Sequence, residues 1–84
     1  MITIYTKKYC EWCDKAKELL NSLSIPFSEY KIGEDIPREW ILNTFPTMHT
    51  VPIILYKNQL IGGYQDLLHE INTNIHFGKT LLLE

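Results

Sequence analysis

Long apolar runs are missing from this 84-residue sequence. None approaches the ~18 consecutive apolar residues that cross a membrane, so no membrane partner is expected. The opening Met1-Ile2-Thr3-Ile4-Tyr5 lacks a basic segment followed by an apolar one, and no signal peptide is read there. A surplus of positive charge is missing too. Lys and Arg number 8 against 10 Asp and Glu, for a net charge of −2. Phosphate recognition needs the opposite balance, which argues against nucleic acid as the main partner. Glycine and proline are scarce at four each, and repeats and low-complexity segments are absent. That excludes fibrous and disordered classes. The apolar share of 45% is ordinary for a globular protein. At about 100–200 residues per domain, residues 1–84 read as one domain. A chain this short buries only about 60% of its unfolded surface, so its core must be efficient or stapled.

Cysteine is almost absent, and the two present stand three apart, Cys10 and Cys13. A disulfide between them closes a tiny loop and removes little unfolded-state entropy, so it is a poor staple. Without a secretory signal a reducing, cytoplasmic setting is expected, where a close pair reads as redox or metal chemistry.

Hydrophobic periodicity places the elements. Ile2-Thr3-Ile4-Tyr5-Thr6 alternates and is rich in β-branched residues, a strand. From about Glu11 to Ser24, Ala16, Leu19, Leu20 and Leu23 form one apolar helical stripe. Ser24-Ile25-Pro26 stops this helix, and Phe27 to Ile32 alternates as a second strand. Asp35-Ile36-Pro37 reads as a helix start with a capping acid and an early proline. Its apolar face is read as Ile36, Trp40 and Thr44 or Phe45, with Pro46 ending it. Val51 to Tyr56 is a third strand, Lys57-Asn58-Gln59 a hairpin turn, and Leu60-Ile61-Gly62 a fourth strand. A last helix runs from about Tyr64 to Ile71 or beyond, with Leu67, Leu68, Ile71 and Ile75 apolar. The tail 76–84 has three readings: packing within the monomer, an added short element, or a dimer contact. The order is βαβαββα, with a right-handed parallel first unit and an antiparallel final hairpin. The sheet is therefore mixed, with helices covering its faces.

Chemistry concentrates in three segments. Cys10-Glu11-Trp12-Cys13 follows a strand and opens a helix. Helix N-termini carry unpaired N–H groups and about half a positive charge, which favour a thiolate, the nucleophilic form. Lys7 and Lys8 add positive charge nearby, while Glu11 opposes it. Cys13, one turn in, should be the more buried thiol, placed to attack a mixed disulfide on Cys10. Three plainer readings compete: zinc ligands, a structural disulfide and inert thiols. Zinc needs four ligands, and His49, His69 and His76 show no finger-type spacing. The second segment is Thr50-Val51-Pro52. Alone, Pro52 is an ordinary trans proline at the start of a strand. Beside the cysteine unit it reads as a cis-proline that leaves the Val51 N–H and C=O free for an extended peptide. The third is Gly62-Gly63-Tyr64-Gln65-Asp66, a turn into a helix. Its N–H groups suit a carboxylate. Asp66 is placed either to cap the helix or to accept from a ligand ammonium, and the two are compatible.

In this order the three segments resemble the glutaredoxin family of the thioredoxin superfamily, over about residues 1–75. The resemblance implies an α/β, thioredoxin-like fold with a four-stranded mixed sheet and flanking helices. It implies a glutathione-dependent thiol–disulfide oxidoreductase with catalytic Cys10 and Cys13 and no metal. Glutathione would be its reducing cosubstrate. Lys7 would lie near the glycine carboxylate of glutathione, with Arg38 or His49 as further candidates there. Thr50, Val51 and Pro52 match the segment that pairs with the cysteinyl backbone. Gly63, Gln65 and Asp66 match the γ-glutamyl site, and Tyr9, Trp12 and Tyr64 would wall the groove. Protein disulfides and glutathionyl mixed disulfides would be the substrates, ribonucleotide reductase among them, with the chain a monomer.

Three other readings compete. One is a redoxin fed by thioredoxin reductase that serves ribonucleotide reductase. Such proteins usually carry a Trp-Ser-Gly-Phe-type stretch where this chain has Gly62-Gly63-Tyr64-Gln65. Another is an iron–sulfur carrier, disfavoured by bulky Glu11 and Trp12. The third is a non-enzymatic module, disfavoured by the intact cysteines.

The chain departs from the family pattern at two positions. Glu11 and Trp12 stand where the family usually has proline and then tyrosine or phenylalanine. Glu11 brings negative charge beside the thiolate, so the couple should be more reducing than in proline-bearing relatives. Equilibration against glutathione measures this; a more oxidising potential would contradict it.

Overall fold

Alternation along the first strand decides what lies on each side of the sheet. The computed structural model describes residues 1–73, so Ile75, His76 and the tail 76–84 lie outside the described residues. In β1 (Ile2–Thr6), Ile2 and Ile4 are fully buried on one face, and Tyr5 is buried on the other. The first face receives α1 (Glu11–Ser22), whose Ala16 and Leu20 join Ile2, Ile4, Ile25, Ile54 and Leu67 in one core. Leu19 and Leu23 pack against this core at its margin. The helix ends two residues before the expected Ser24, because Ser24 adopts a left-handed conformation, φ 56°. The Ser24 N–H then bonds the Asn21 carbonyl at 3.1 Å, and the Ile25 N–H bonds that of Leu20 at 2.9 Å. This double closure satisfies the last carbonyls and drives Ile25 into the core beside Leu20.

After β2 (Phe27–Lys31) the chain makes a tight excursion. The Lys31 N–H donates to Asp35 Oδ2 at 2.8 Å, and Ile32 bridges Ile36. Asp35 is thereby committed to the turn and does not cap the next helix, contrary to the expectation. α2 (Arg38–Thr44) begins after Pro37, which is the N-cap itself and makes no side-chain capping bond. Its buried face is the expected one in part: Phe45 is buried and Ile36 packs against the same cluster, but Ile41 stands in place of Trp40. Ile41 and the following Phe45 are buried with Tyr5, Ile53 and Leu55, while Trp40 and Thr44 are exposed. Trp40 still touches the rings of Tyr5 and Phe45, at centroid distances of 5.9 and 6.0 Å.

β3 (Ile53–Tyr56) is shorter than read, because Val51 and Pro52 precede its first pair. Lys57 and Asn58 both have positive φ, 49° and 67°, the two-residue turn whose twist suits a hairpin. Gln59 therefore already belongs to β4 (Gln59–Gly62). α3 (Tyr64–Thr73) returns to the first face, with Leu67 fully buried. The strand order is β2-β1-β3-β4, with β1 parallel to β2 and antiparallel to β3, and β4 antiparallel to β3. No helix among the described residues is long and apolar enough to cross a membrane.

One polar link sits among these apolar contacts. The buried Thr6 hydroxyl donates to Glu29 Oε2 at 2.7 Å, and Lys17 Nζ donates to the same oxygen at 3.1 Å. Burial alone would raise the Glu29 carboxyl above its ordinary value of 4.5. The bonds from Thr6 and Lys17, with the charges of Lys17 and Lys31, outweigh burial and hold it below that value. A lowered folded-state value contributes stability that is fully present above the unfolded value and lost as pH falls through the folded one. Glu29→Gln should therefore unfold more easily at neutral pH and lose less of its remaining stability on acidification. Urea titrations across the acid range check this; parallel pH curves for the two proteins would contradict it.

Candidate redox site and groove

Strand direction brings the three chemical segments together. β1 ends at Thr6 on the sheet edge where antiparallel β3 begins, since Tyr5 pairs with Ile53. β4 comes back to the same edge, with Gly62 opposite Ile54. The loop to Cys10, the Val51-Pro52 segment and the start of α3 therefore converge.

Cys10 is the N-cap of α1, and its Sγ accepts the Cys13 N–H at 3.1 Å. A sulfur thus takes the place of the usual capping oxygen, where helix N–H groups favour negative charge. Cys13 is 1% exposed and Cys10 is partly exposed, in the expected order. The two are joined by a disulfide with Cα atoms 5.2 Å apart. The Val51–Pro52 bond is cis, and the Val51 carbonyl lies 3.9 Å from Cys10 Sγ. In the disulfide that sulfur has no hydrogen to donate, so this is an approach and not a bond. Among the described residues the Val51 N–H has no hydrogen-bond partner.

Of the residues singled out from sequence, Trp12, Thr50, Val51, Pro52, Gly63, Tyr64, Gln65 and Asp66 line one groove of about 370 Å³. Trp12 and Tyr64 form its aromatic side, with ring centroids 5.4 Å apart, and Lys15 Nζ lies 4.4 Å over the Trp12 ring. Lys7 lies in an adjoining cleft of about 520 Å³ with Arg38 and His49, floored by Ile41, Leu42 and Ile53. Trp12, Thr50 and Val51 border both spaces, which therefore adjoin; neither cysteine lines them, and Val51 is their link to the disulfide, its carbonyl 3.9 Å from Cys10 Sγ. Tyr9 lines neither; it is fully exposed with φ 56°, turned out of the groove it was expected to wall. Lys8 is paired with Glu34 at 3.1 Å, which offsets its expected contribution beside Cys10. Met48 borders both spaces and escaped the sequence reading. The only signal for it was an apolar residue just ahead of Thr50-Val51-Pro52. Among the described residues no group of three or more His, Cys, Asp or Glu side chains is placed to hold a metal ion.

At the start of α3, the Gly63 N–H donates to Asp66 Oδ2 at 3.0 Å, a reciprocal cap from the third helical residue. The glycine requirement falls on Gly62. Its φ is +128°, and a Cβ there would collide with the Asp66 carboxylate. At Gly63 a Cβ would find only ordinary contact, 3.7 Å from the Pro52 carbonyl oxygen. Gly62→Ala should cost about 1–3 kcal/mol in urea denaturation, against a smaller loss for Gly63→Ala. Equal losses would contradict this assignment.

Comparison with known proteins agrees with the geometry. Residues 2–61 match the glutaredoxin family model. Glutaredoxin 3 of Escherichia coli K12 is 40% identical over 67 residues, covering 79% of this chain and 80% of that protein. Glutaredoxin-2 of Schizosaccharomyces pombe is 35% identical over 71 residues, 79% of this chain but only 63% of that protein. Reduced E. coli glutaredoxin superposes with a TM-score of 0.74 at 28% identity, covering 89% of this chain and 96% of that one. The buckwheat glutaredoxin–glutathione complex has the same fold, with a TM-score of 0.75 at 19% identity and coverage of 87% and 69%. The chain belongs to the glutaredoxin family, and its redox-active cysteine pair makes it a thiol–disulfide oxidoreductase.

Proposed function

On the premise of that membership, we propose that the chain is a glutathione-dependent reductase of protein disulfides and glutathionyl mixed disulfides. The observation that carries this reading is the pair of adjoining spaces that share Val51 beside the disulfide, with the Val51 N–H unpaired among the described residues and groups that suit a carboxylate at both far ends. An extended peptide with a central cysteine fits that pattern. At one end the first N–H groups of α3 suit a carboxylate. Asp66 caps the helix through Oδ2, which leaves Oδ1 for a ligand ammonium, and Gln65 stands beside it. At the other end Lys7, Arg38 and His49 suit a second carboxylate. Glutathione has these three features in this order. The fold neighbour from buckwheat binds glutathione, which agrees with the reading.

The chemistry follows from burial and position. Once reduced, Cys10 carries the thiolate, since it caps α1 and is the more exposed sulfur. Its sulfur attacks one sulfur of the substrate disulfide; the S–S bond breaks, and the other sulfur leaves as a thiolate that takes up a proton. Two exits follow. In one, the Cys13 sulfur attacks Cys10, forms the disulfide seen here and releases the reduced substrate. In the other, a glutathione thiolate attacks the glutathionyl group on Cys10, forms glutathione disulfide and regenerates Cys10. Two glutathione molecules return the Cys10–Cys13 disulfide to the dithiol.

In an assay coupled through glutathione and glutathione reductase, Cys10→Ser should abolish turnover of both substrate types. Cys13→Ser should retain most removal of glutathione from a mixed disulfide and lose reduction of a protein disulfide by about tenfold or more. Equal loss from both variants on both substrates would overturn this division of labour.

A further inference from the structure

The Thr6–Glu29–Lys17 link has no part in the groove, yet two of its residues flank the cysteine segment along the chain, one at the end of β1 and one within α1. Lys17 is four residues after Cys13 on α1, one helical turn away on the same face. Side chains on a helix lean toward its N-terminus, so the Lys17 stem lies over the Cys13 turn. Thr6 is the last residue of β1, immediately before the loop that leads to Cys10. A single oxygen, Glu29 Oε2, therefore joins the strand entering that loop to the helix leaving it.

Exposure decides which charges reach the dithiol. Around it, the side chains of Glu11, Asp14 and Lys8 are 79%, 71% and 70% exposed, so water and salt screen them. Lys17 and Glu29 are 28% and 25% exposed, and their fields are screened least. The groups facing this pair are Asp14 on α1, 3.7 Å from Lys17 Nζ, Lys31 on β2 and the neutral Thr6 hydroxyl on β1.

We propose that Lys17 and Glu29 are positioning residues that set the reduction equilibrium of the Cys10–Cys13 dithiol through opposed charges. The Lys17 ammonium stabilises the thiolate, and the Glu29 carboxylate restrains that effect while fixing the ammonium in place. The inference rests on the dithiol chemistry alone and stands apart from the glutathione reading.

The test equilibrates the full chain with reduced and oxidised dithiothreitol at neutral pH. Protein disulfide and reduced reagent exchange two electrons and two protons to give protein dithiol and oxidised reagent. Thiols are then counted by alkylation and mass measurement. Glu29→Gln should shift the equilibrium toward the dithiol by about three- to tenfold, and Lys17→Met should shift it toward the disulfide by a similar factor. The pH midpoint for alkylation of Cys10 should fall in the first variant and rise in the second. Thr6→Val removes the hydroxyl bond but no charge; it should lower stability and leave the equilibrium within twofold. If Lys17→Met does not fold, Lys17→Gln makes the same measurement. Opposite shifts support electrostatic control, since simple damage to the scaffold has no reason to change sign. Shifts in the same direction, in only one variant or in neither would overturn the proposal.

Discussion

The antiparallel pairing of β1 with β3 is the constraint on which the rest depends. Because Tyr5 lies opposite Ile53, the end of one strand and the approach to the other meet at one edge of the sheet. Cys10 and Val51 are 41 residues apart in sequence, and this register alone brings the Cys10 sulfur to 3.9 Å from the Val51 carbonyl. The β3–β4 hairpin then returns the chain to the same edge and opens α3 beside them. Burial holds this register. Ile54 faces one core and Ile53 and Leu55 the other, so a slip by one residue would exchange the two cores.

Much of this was legible because local and tertiary signals agree. The alternation of Ile2 to Thr6 and the stripe of Ala16 and Leu20 point to the faces that are in fact buried. The cysteine segment, Thr50-Val51-Pro52 and the segment from Gly63 to Asp66 each carried a local chemical reason. The structure brings most of their residues to one groove. What escaped the sequence was settled by competition between neighbours. Asp35 had two possible uses, capping a helix or closing a turn, and the Lys31 N–H took it. Trp40 lost its place in the core to Ile41, and α2 begins two residues later than a cap at Asp35 would have it. Tyr9 looked like a groove wall by its position beside Cys10, but its left-handed backbone turns it to solvent. Met48 gave no chemical signal at all and is found only through its neighbours.

The electrostatics follow the same economy. A helix N-terminus gives Cys10 a favourable environment, and its sulfur returns a capping bond to Cys13. Glu11, which stands where relatives usually carry proline, is largely in water and 3.6 Å from Lys15, so its charge is partly balanced. Glu29 is different in kind. It is a carboxylate on the inner side of an edge strand, tied to two other elements, and its charge is retained by specific bonds. A charge turned inward on an edge strand also discourages pairing with another chain. Glu11, Asp14 and Lys8 are thus largely exposed to water, and the Lys17–Glu29 pair is the less exposed one.

Binding of glutathione in the groove beside the disulfide, as proposed, is open to direct test. Its most direct measurement compares turnover of a glutathionylated disulfide substrate under two supplies of electrons from NADPH. One supply is glutathione with glutathione reductase; the other is thioredoxin reductase. Turnover is expected with glutathione, and little or none with thioredoxin reductase. Turnover with thioredoxin reductase alone would keep the fold and the role of Cys10, and would contradict the glutathione assignment of Val51, Gln65 and Asp66.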